Sequence, residues 1–144
     1  MKTDEEYMRM ALQEAHKAEE DGEIPIGAVI VDKQGLCVAR SHNQTEMLHD
    51  VTAHAEMLAL TIAAEECGKY LTDCTLFVTV EPCIMCAGAI GWAQVGRVVY
   101  GATDPKRGFS LFSPSPLHPK CVVTAGILAD DCGKLVSDFF KRKR

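Results

Sequence analysis

No run of apolar residues in this 144-residue chain approaches the roughly 18 needed to cross a bilayer, which excludes a membrane-spanning helix. The opening MKTDEEYMRM lacks the basic start and apolar core of a secretory leader, so the expected location is the cytoplasm. Internal repeats, low-complexity tracts and linkers are missing too, and the expectation is one domain over 1–144. A disulfide framework is equally unsupported. The cysteines number seven (Cys37, Cys67, Cys74, Cys83, Cys86, Cys121 and Cys132), an odd count that in a reducing compartment suits buried thiols or metal ligands. Five stand alone in apolar runs and read as small core residues; only Cys83 and Cys86 form a close pair. What is present is ordinary for a globular protein: 47% apolar and 24% charged residues, enough for a sizeable core and too apolar for disorder.

A surplus of positive charge is also lacking. The formal net charge is −5, which by itself speaks against a nucleic-acid partner. Its distribution is uneven, however. Residues 1–96 carry 6 Lys/Arg against 16 Asp/Glu, whereas residues 97–144 carry 9 against 4, ending in Lys141-Arg142-Lys143-Arg144. Such asymmetry permits a local anionic partner on an acidic protein. A solvated helix end would carry the same charges.

The chain opens with a predicted helix. Thr3 and Glu6 fit a capping box, Met8, Ala11, Leu12 and Ala15 recur at helical spacing, and Asp21-Gly22 ends the run. Ile26 to Val31 reads as a buried strand, Asp32 to Gly35 as a turn, and Leu36 to Ala39 as an antiparallel return. Residues 41–53 are irregular. Residues 54–66 read as a helix apolar on nearly all sides, hence buried. Thr75 to Val80 is a strand, and Cys83 to Ala93 a helix with proline at its start. Arg97 to Tyr100 is a further strand, 103–120 a proline-rich loop, and Cys121 to Thr124 a short strand. After Gly126 a last helix places Leu128, Cys132, Leu135, Val136 and Phe139 on one stripe. This alternation predicts a three-layer α/β/α sandwich with a mixed sheet of about five strands.

Two motifs at predicted helix starts carry chemistry: Thr52-Ala53-His54-Ala55-Glu56 and Glu81-Pro82-Cys83-Ile84-Met85-Cys86. Cys83 and Cys86, three residues apart at a helix N-terminus, share a face and sit in positive potential that favours thiolates. His54 supplies an imidazole. Two sulfurs and one nitrogen leave the fourth tetrahedral position to solvent, the pattern of a catalytic rather than a structural zinc. His42 or His49 in the preceding loop would close the site and make the metal purely structural; His16 and His118 read as surface residues. Glu56 lies among apolar neighbours, where an ionised carboxylate is costly without a partner. Beside the metal's open position it would take and return a proton. In isolation, a first-turn carboxylate complementing the helix dipole is an equal reading.

The combined pattern H-x-E…P-C-x-x-C resembles the cytidine deaminase superfamily. Within it, the blocks EIPIGAVIV (23–31), HNQTEMLHDVTAHAEMLAL (42–60), LFVTVEPCIMCAGAI (76–90), GRVVYGATD (96–104) and GILADDCGKLVSDFFKRKR (126–144) are similar to the bacterial tRNA adenosine deaminases. The resemblance implies one Zn2+ per chain on His54, Cys83 and Cys86, and Glu56 as proton shuttle. It implies base contacts from Asn43, Ile26 and the Ala55 backbone. The activity implied is hydrolytic conversion of adenosine to inosine at the wobble position of a tRNA anticodon loop. It also implies a homodimer that builds its RNA surface across the subunit interface. Small residues Ala87, Gly88, Ala89 and Gly91 would allow close approach there, or else packing on the chain's own sheet. After Asp104 many members of the family carry a longer loop with an Ala-Gly-Ser-Leu stretch. This chain instead reads Lys106-Arg107-Gly108-Phe109-Ser110-Leu111-Phe112. Lys106, Arg107, Lys120, Lys141, Arg142, Lys143 and Arg144 are expected phosphate partners. Phe109 or Phe112 would stack on an unpaired base or pack in the core. The nearest rival is a deaminase of a free base or nucleoside, guanine or cytosine type. A rival of another class is a non-catalytic zinc module that only binds RNA.

Overall fold

The computed structural model describes residues 1–143; Arg144, one of the expected phosphate partners, lies outside the described residues. The elements run α1 (Asp4–Glu20), β1 (Gly27–Val31), β2 (Cys37–His42), α2 (Ala55–Cys67), β3 (Thr75–Val80), α3 (Ile84–Trp92), β4 (Arg97–Ala102), a 3-10 turn (Phe109–Leu111), β5 (Val122–Thr124) and α4 (Ala129–Arg142). The five strands form one mixed sheet in the order β2-β1-β3-β4-β5. β1 runs antiparallel to both β2 and β3, and β3, β4 and β5 are mutually parallel. The predicted sandwich is the one observed.

Side-chain alternation along the central strands divides the core in two. Val29, Val31, Phe77 and Val99 point to one face, where α1 and α4 cover them. Ala28, Ile30, Leu76, Val78 and Val98 point to the other, under α2 and α3. Because both faces are covered, β1 and β3 are apolar at successive positions. Helix α1 starts at the predicted capping box: Glu6 N donates to Thr3 Oγ1 at 3.2 Å, and Thr3 N donates to Glu6 Oε1 at 2.9 Å. It then presses its backbone onto β1 at Gly27, where an added Cβ would collide with Ala11 O and Ala15 N. Gly27→Ala is therefore expected to cost about 3 kcal/mol, the upper end of overpacking effects. The urea midpoint should fall with an unchanged slope, and an unaltered midpoint would mean that α1 can move away from β1.

Three expectations need correction, on β2, α2 and the cysteines. Strand β2 continues past Ala39 to His42. Its apolar run ends, but its pairing with β1 persists to Gly27 opposite His42, and backbone pairing rather than polarity decides an edge strand. Helix α2 is buried on one face only: Ala55, Ala59 and Ala63 are covered, while Thr61 and Ile62 are exposed. The 103–120 segment is mostly loop, as expected, with one short 3-10 turn at Phe109–Leu111. Of the five cysteines read as core, Cys74 and Cys132 are buried, Cys37 and Cys121 are half-buried, and Cys67 is exposed at the end of α2.

The sheet edge that matters for function is where β2, β3 and β4 end and β1 begins. There Asn43 N donates to Ile26 O at 3.1 Å, and Gly27 N donates to Thr79 Oγ1 at 3.2 Å. Helices α2 and α3 both start at this edge.

Candidate active site

His54 and Cys83 are the N-caps of α2 and α3, each in extended backbone geometry and neither making a side-chain cap bond. The sequence reading counted both as helical. The structure places each just before its helix, so Pro82 precedes the cap instead of opening the first turn. An N-cap side chain normally folds back onto the first free N–H groups. Here both side chains are turned toward each other, and both helices direct their positive ends at the same spot.

The nitrogen and sulfurs converge. His54 Nδ1 lies 3.7 Å from Cys83 Sγ and 3.4 Å from Cys86 Sγ, and the three ligand atoms lie within 4.8 Å of one another. Tetrahedral zinc, with bonds of about 2.3 Å to sulfur and about 2.0 Å to nitrogen, separates such ligands by about 3.6 Å. The donor set and its spacing therefore fit zinc. Neither candidate fourth ligand joins it. His42 Nδ1 is engaged with Glu14 Oε1 at 3.2 Å, and His49 is exposed in the loop with φ 51°.

The electrostatics follow from this crowding. Hydrogen bonding from the Cys86 thiol and from His54 outweighs burial and lowers the Cys83 thiol to about 4. Cys86 is pushed upward by the same bond, by burial and by Glu56. His54 is raised, chiefly by its bond to Cys83, with burial and the charge of Arg107 opposing. Glu56, in the first turn of α2 and 3% exposed, is raised to about 7 by burial, against its own backbone amide and the charge on His54. A carboxyl group poised near neutrality can both accept and give a proton at physiological pH.

Asn43 sits at the end of β2, 4% exposed. Its Oδ1 accepts from Ala55 N at 2.8 Å, which leaves its Nδ2 hydrogens as donors. Ala55 O accepts from Ser41 Oγ at 2.6 Å. Both backbone groups of Ala55, an expected base contact, are thus engaged in holding Asn43 and β2. Ile26 is half-buried one residue before β1.

The expected RNA contacts divide. Lys106, Arg107 and Lys120 are exposed in the loops after β4. Lys141 and Lys143 are exposed at the end of α4, with Lys143 Nζ 5.4 Å from the Phe139 ring centre. Arg142 bonds Glu19 at 2.9 Å, which ties the end of α4 to the end of α1, shortly before the chain enters β1. Phe109 is corrected. It is 6% exposed and meets Tyr100 edge-on at 6.1 Å, so its ring is core and cannot stack on a base. Phe112 is exposed.

Three buried carboxylates besides Glu56 are assigned no role in the sequence analysis: Glu14, which meets Lys17, Arg40 and His42, and Glu23 and Glu81. Glu23 accepts from Thr45 Oγ1 at 3.4 Å, Glu46 N at 3.1 Å and Met47 N at 2.8 Å, and holds the loop after Asn43. Glu81 accepts from Asp104 N, Ser110 N and Ser110 Oγ. The available signal for Glu23 and Glu81 was a carboxylate at the end of a buried apolar run with no basic residue nearby in sequence; such a group needs N–H donors from elsewhere.

Comparison with known proteins agrees with this arrangement. Residues 1–102 match the family described as cytidine and deoxycytidylate deaminase zinc-binding region. The tRNA-specific adenosine deaminase of Bacillus subtilis (strain 168) is 45% identical over 150 aligned positions, covering 100% of this chain and 92% of that protein. A solved structure from work on A-to-I editing by tRNA:A34 deaminases at the wobble position of transfer RNA superposes with TM-score 0.84 at 41% identity, over 90% of this chain and 98% of that one. A guanine deaminase from Bacillus subtilis superposes with TM-score 0.66 at 39% identity, over 72% of this chain and 66% of that one.

Proposed function

The chain belongs to the zinc-binding cytidine and deoxycytidylate deaminase family, and from that premise we propose that it converts adenosine to inosine at the wobble position of a tRNA anticodon. The observation that carries the chemistry is the meeting of His54, Cys83 and Cys86 beside a buried Glu56. The substrate assignment is supported by the similarity, over the whole chain, to tRNA-specific adenosine deaminases.

His54, Cys83 and Cys86 would hold one zinc ion per chain, which when bound supplies the Lewis acidity that makes solvent nucleophilic near neutral pH. Glu56 takes the proton of the attacking solvent and passes protons to the ring nitrogen and to the departing amine. Oxygen is thereby added at C6, and ammonia leaves. Asn43, its oxygen held by Ala55, offers its amide hydrogens to an acceptor on the base edge. Ile26 contributes an apolar wall. Glu56 and Cys86 are buried, so a base must enter edge-on and leave its stack. The open loop of an anticodon permits that at lower cost than a duplex does.

The basic residues favour RNA by position. Lys106 and Arg107 follow β4, and Arg142 is bound to Glu19 near the start of β1, so both groups stand at the sheet edge that carries the metal ligands. Removal of Lys141 to Arg144 is expected to weaken RNA binding, with the slope of log affinity against log salt falling by about 1 to 3. Circular dichroism should stay unchanged. An unaltered slope would remove the tail from the RNA surface.

A homodimer through α2 and α3 is part of this reading. The two helices pack side by side and leave Ile62, Ile84 and Trp92 exposed, Trp92 by 85%. Of the small residues, Ala87 is used in the chain's own core and Gly91 lies against Pro116, while a Cβ on Gly88 would meet nothing within 4 Å. A cytoplasmic location suits the seven unpaired cysteines. Among the described residues no helix is long and apolar enough to cross a membrane.

The deciding experiment measures ammonia release from a tRNA transcript, free guanine, free cytosine and cytidine. Release from the transcript with inosine at the wobble position is the expected result. Release from a free base and none from the transcript would overturn the assignment.

A further inference from the structure

Glu81 directly follows β3 and precedes the Pro82-Cys83 turn. It is 4% exposed and, among the described residues, makes no ion pair. Its charge is instead matched by three donors from one distant loop: Asp104 N at 3.0 Å on Oε1, and Ser110 N at 3.0 Å and Ser110 Oγ at 2.7 Å on Oε2. The loop lies against this turn along its length. Phe109 N donates to Pro82 O at 3.0 Å, and Gly108 forms an isolated antiparallel bridge with Cys83. Gly108 also sits over the carboxylate so closely that any Cβ there would collide with it. The buried Phe109 ring fastens the same stretch from below.

Between the two clamped ends stand Lys106 and Arg107, both exposed, their backbone N–H groups turned onto Asp104 Oδ1 at 3.0 and 3.1 Å. One carboxylate therefore holds both ends of the basic tip, and the next residue but one is a metal ligand.

We propose that Glu81 is a positioning residue: its buried carboxylate clamps the 104–110 loop onto the Cys83 turn and so sets the place of Lys106 and Arg107 relative to the metal corner. The proposal rests on the reading of the chain as an RNA-acting deaminase. It concerns KM and binding for RNA and leaves the proton transfers to Glu56.

The test compares Glu81→Gln and Ser110→Ala with the unaltered protein on an anticodon stem-loop. Glutamine keeps the size but loses an acceptor, leaving a buried donor of the loop unmatched. KM and the stem-loop Kd are expected to rise about tenfold for Glu81→Gln, and by less for Ser110→Ala, with kcat within about threefold. Zinc content should remain at one per chain. Adding Ser110→Ala to Glu81→Gln should produce no further rise, since both remove the same clamp. Hydrogen exchange of the Asp104 and Ser110 amides, slow in the unaltered protein, should accelerate selectively in Glu81→Gln. A lowered melting temperature with unchanged KM and Kd would show a merely structural carboxylate and overturn the proposal. So would unchanged exchange at those two amides. If Glu81→Gln does not fold, Ser110→Ala alone decides by the same readouts. If the unaltered protein acts on a free base and not on RNA, the functional reading fails, and the exchange measurement still judges the clamp separately.

Discussion

Glu56→Gln is expected to bind zinc at one ion per chain and to lose turnover by at least about 10⁴-fold, the upper end of what one general acid–base group contributes. In the proposed reaction three proton movements pass through this single side chain: from the attacking solvent, to the ring nitrogen and to the leaving amine. Glutamine has nearly the same volume, so the packing around α2 survives, but its amide neither accepts nor releases a proton near pH 7. The buried position makes substitution by bulk solvent ineffective, because Glu56 is 3% exposed. Metal analysis and single-turnover kinetics on the same preparation separate the two effects. Full zinc with retained turnover would return Glu56 to the role of a first-turn carboxylate facing a helix dipole.

Removal of the metal has the second large effect. Stripping zinc with a chelator, or replacing the fully buried Cys86 by alanine, is expected to lower deamination by at least about 10³-fold, the scale of losing several kcal/mol of transition-state stabilisation. Added zinc should restore the stripped protein and leave Cys86→Ala inactive. The melting temperature should fall on stripping, since an ion that binds only the folded chain stabilises it by mass action. Two sulfurs and an imidazole are also left packed within 4.8 Å of one another. Ions with similar ligand preference, such as cobalt(II), should occupy the site and report its tetrahedral geometry through visible absorption. Full activity in metal-free protein would abandon the deaminase chemistry altogether. An octahedral spectrum would exclude the three-ligand arrangement with one open corner.

The two effects are coupled through geometry. His54 caps α2 and Glu56 follows it by two residues, so one turn of backbone carries a metal ligand and the proton carrier together. Cys83 caps α3, and the β3–Glu81–Pro82 segment delivers it. Asn43 is placed by β2 and locked by Ala55. Each functional side chain thus lies within two residues of the end of a regular element, where backbone direction changes and side chains can converge. Helix N-termini on two sides also make this corner attractive to the negative charge that develops as solvent loses its proton.

The parts legible in the sequence are those governed by local rules. The capping box at Thr3 and Glu6, the apolar strands 26–31 and 75–80, and the short-spaced ligand motifs are all set by neighbours within a few residues, and all appear where periodicity and residue chemistry placed them. What only the tertiary structure decided are the pairings between distant segments. Phe109 suited packing somewhat better than stacking, and its edge-on contact with Tyr100 makes it core. His42 looked available as a ligand, and Glu14, twenty-eight positions earlier, took it. Glu23 and Glu81, each flanking an apolar run, carried no signature of their partners, because most of those are backbone N–H groups, which every residue but proline possesses. A donor of that kind has no identity in a sequence; it acquires one when folding brings a particular loop against a particular buried charge.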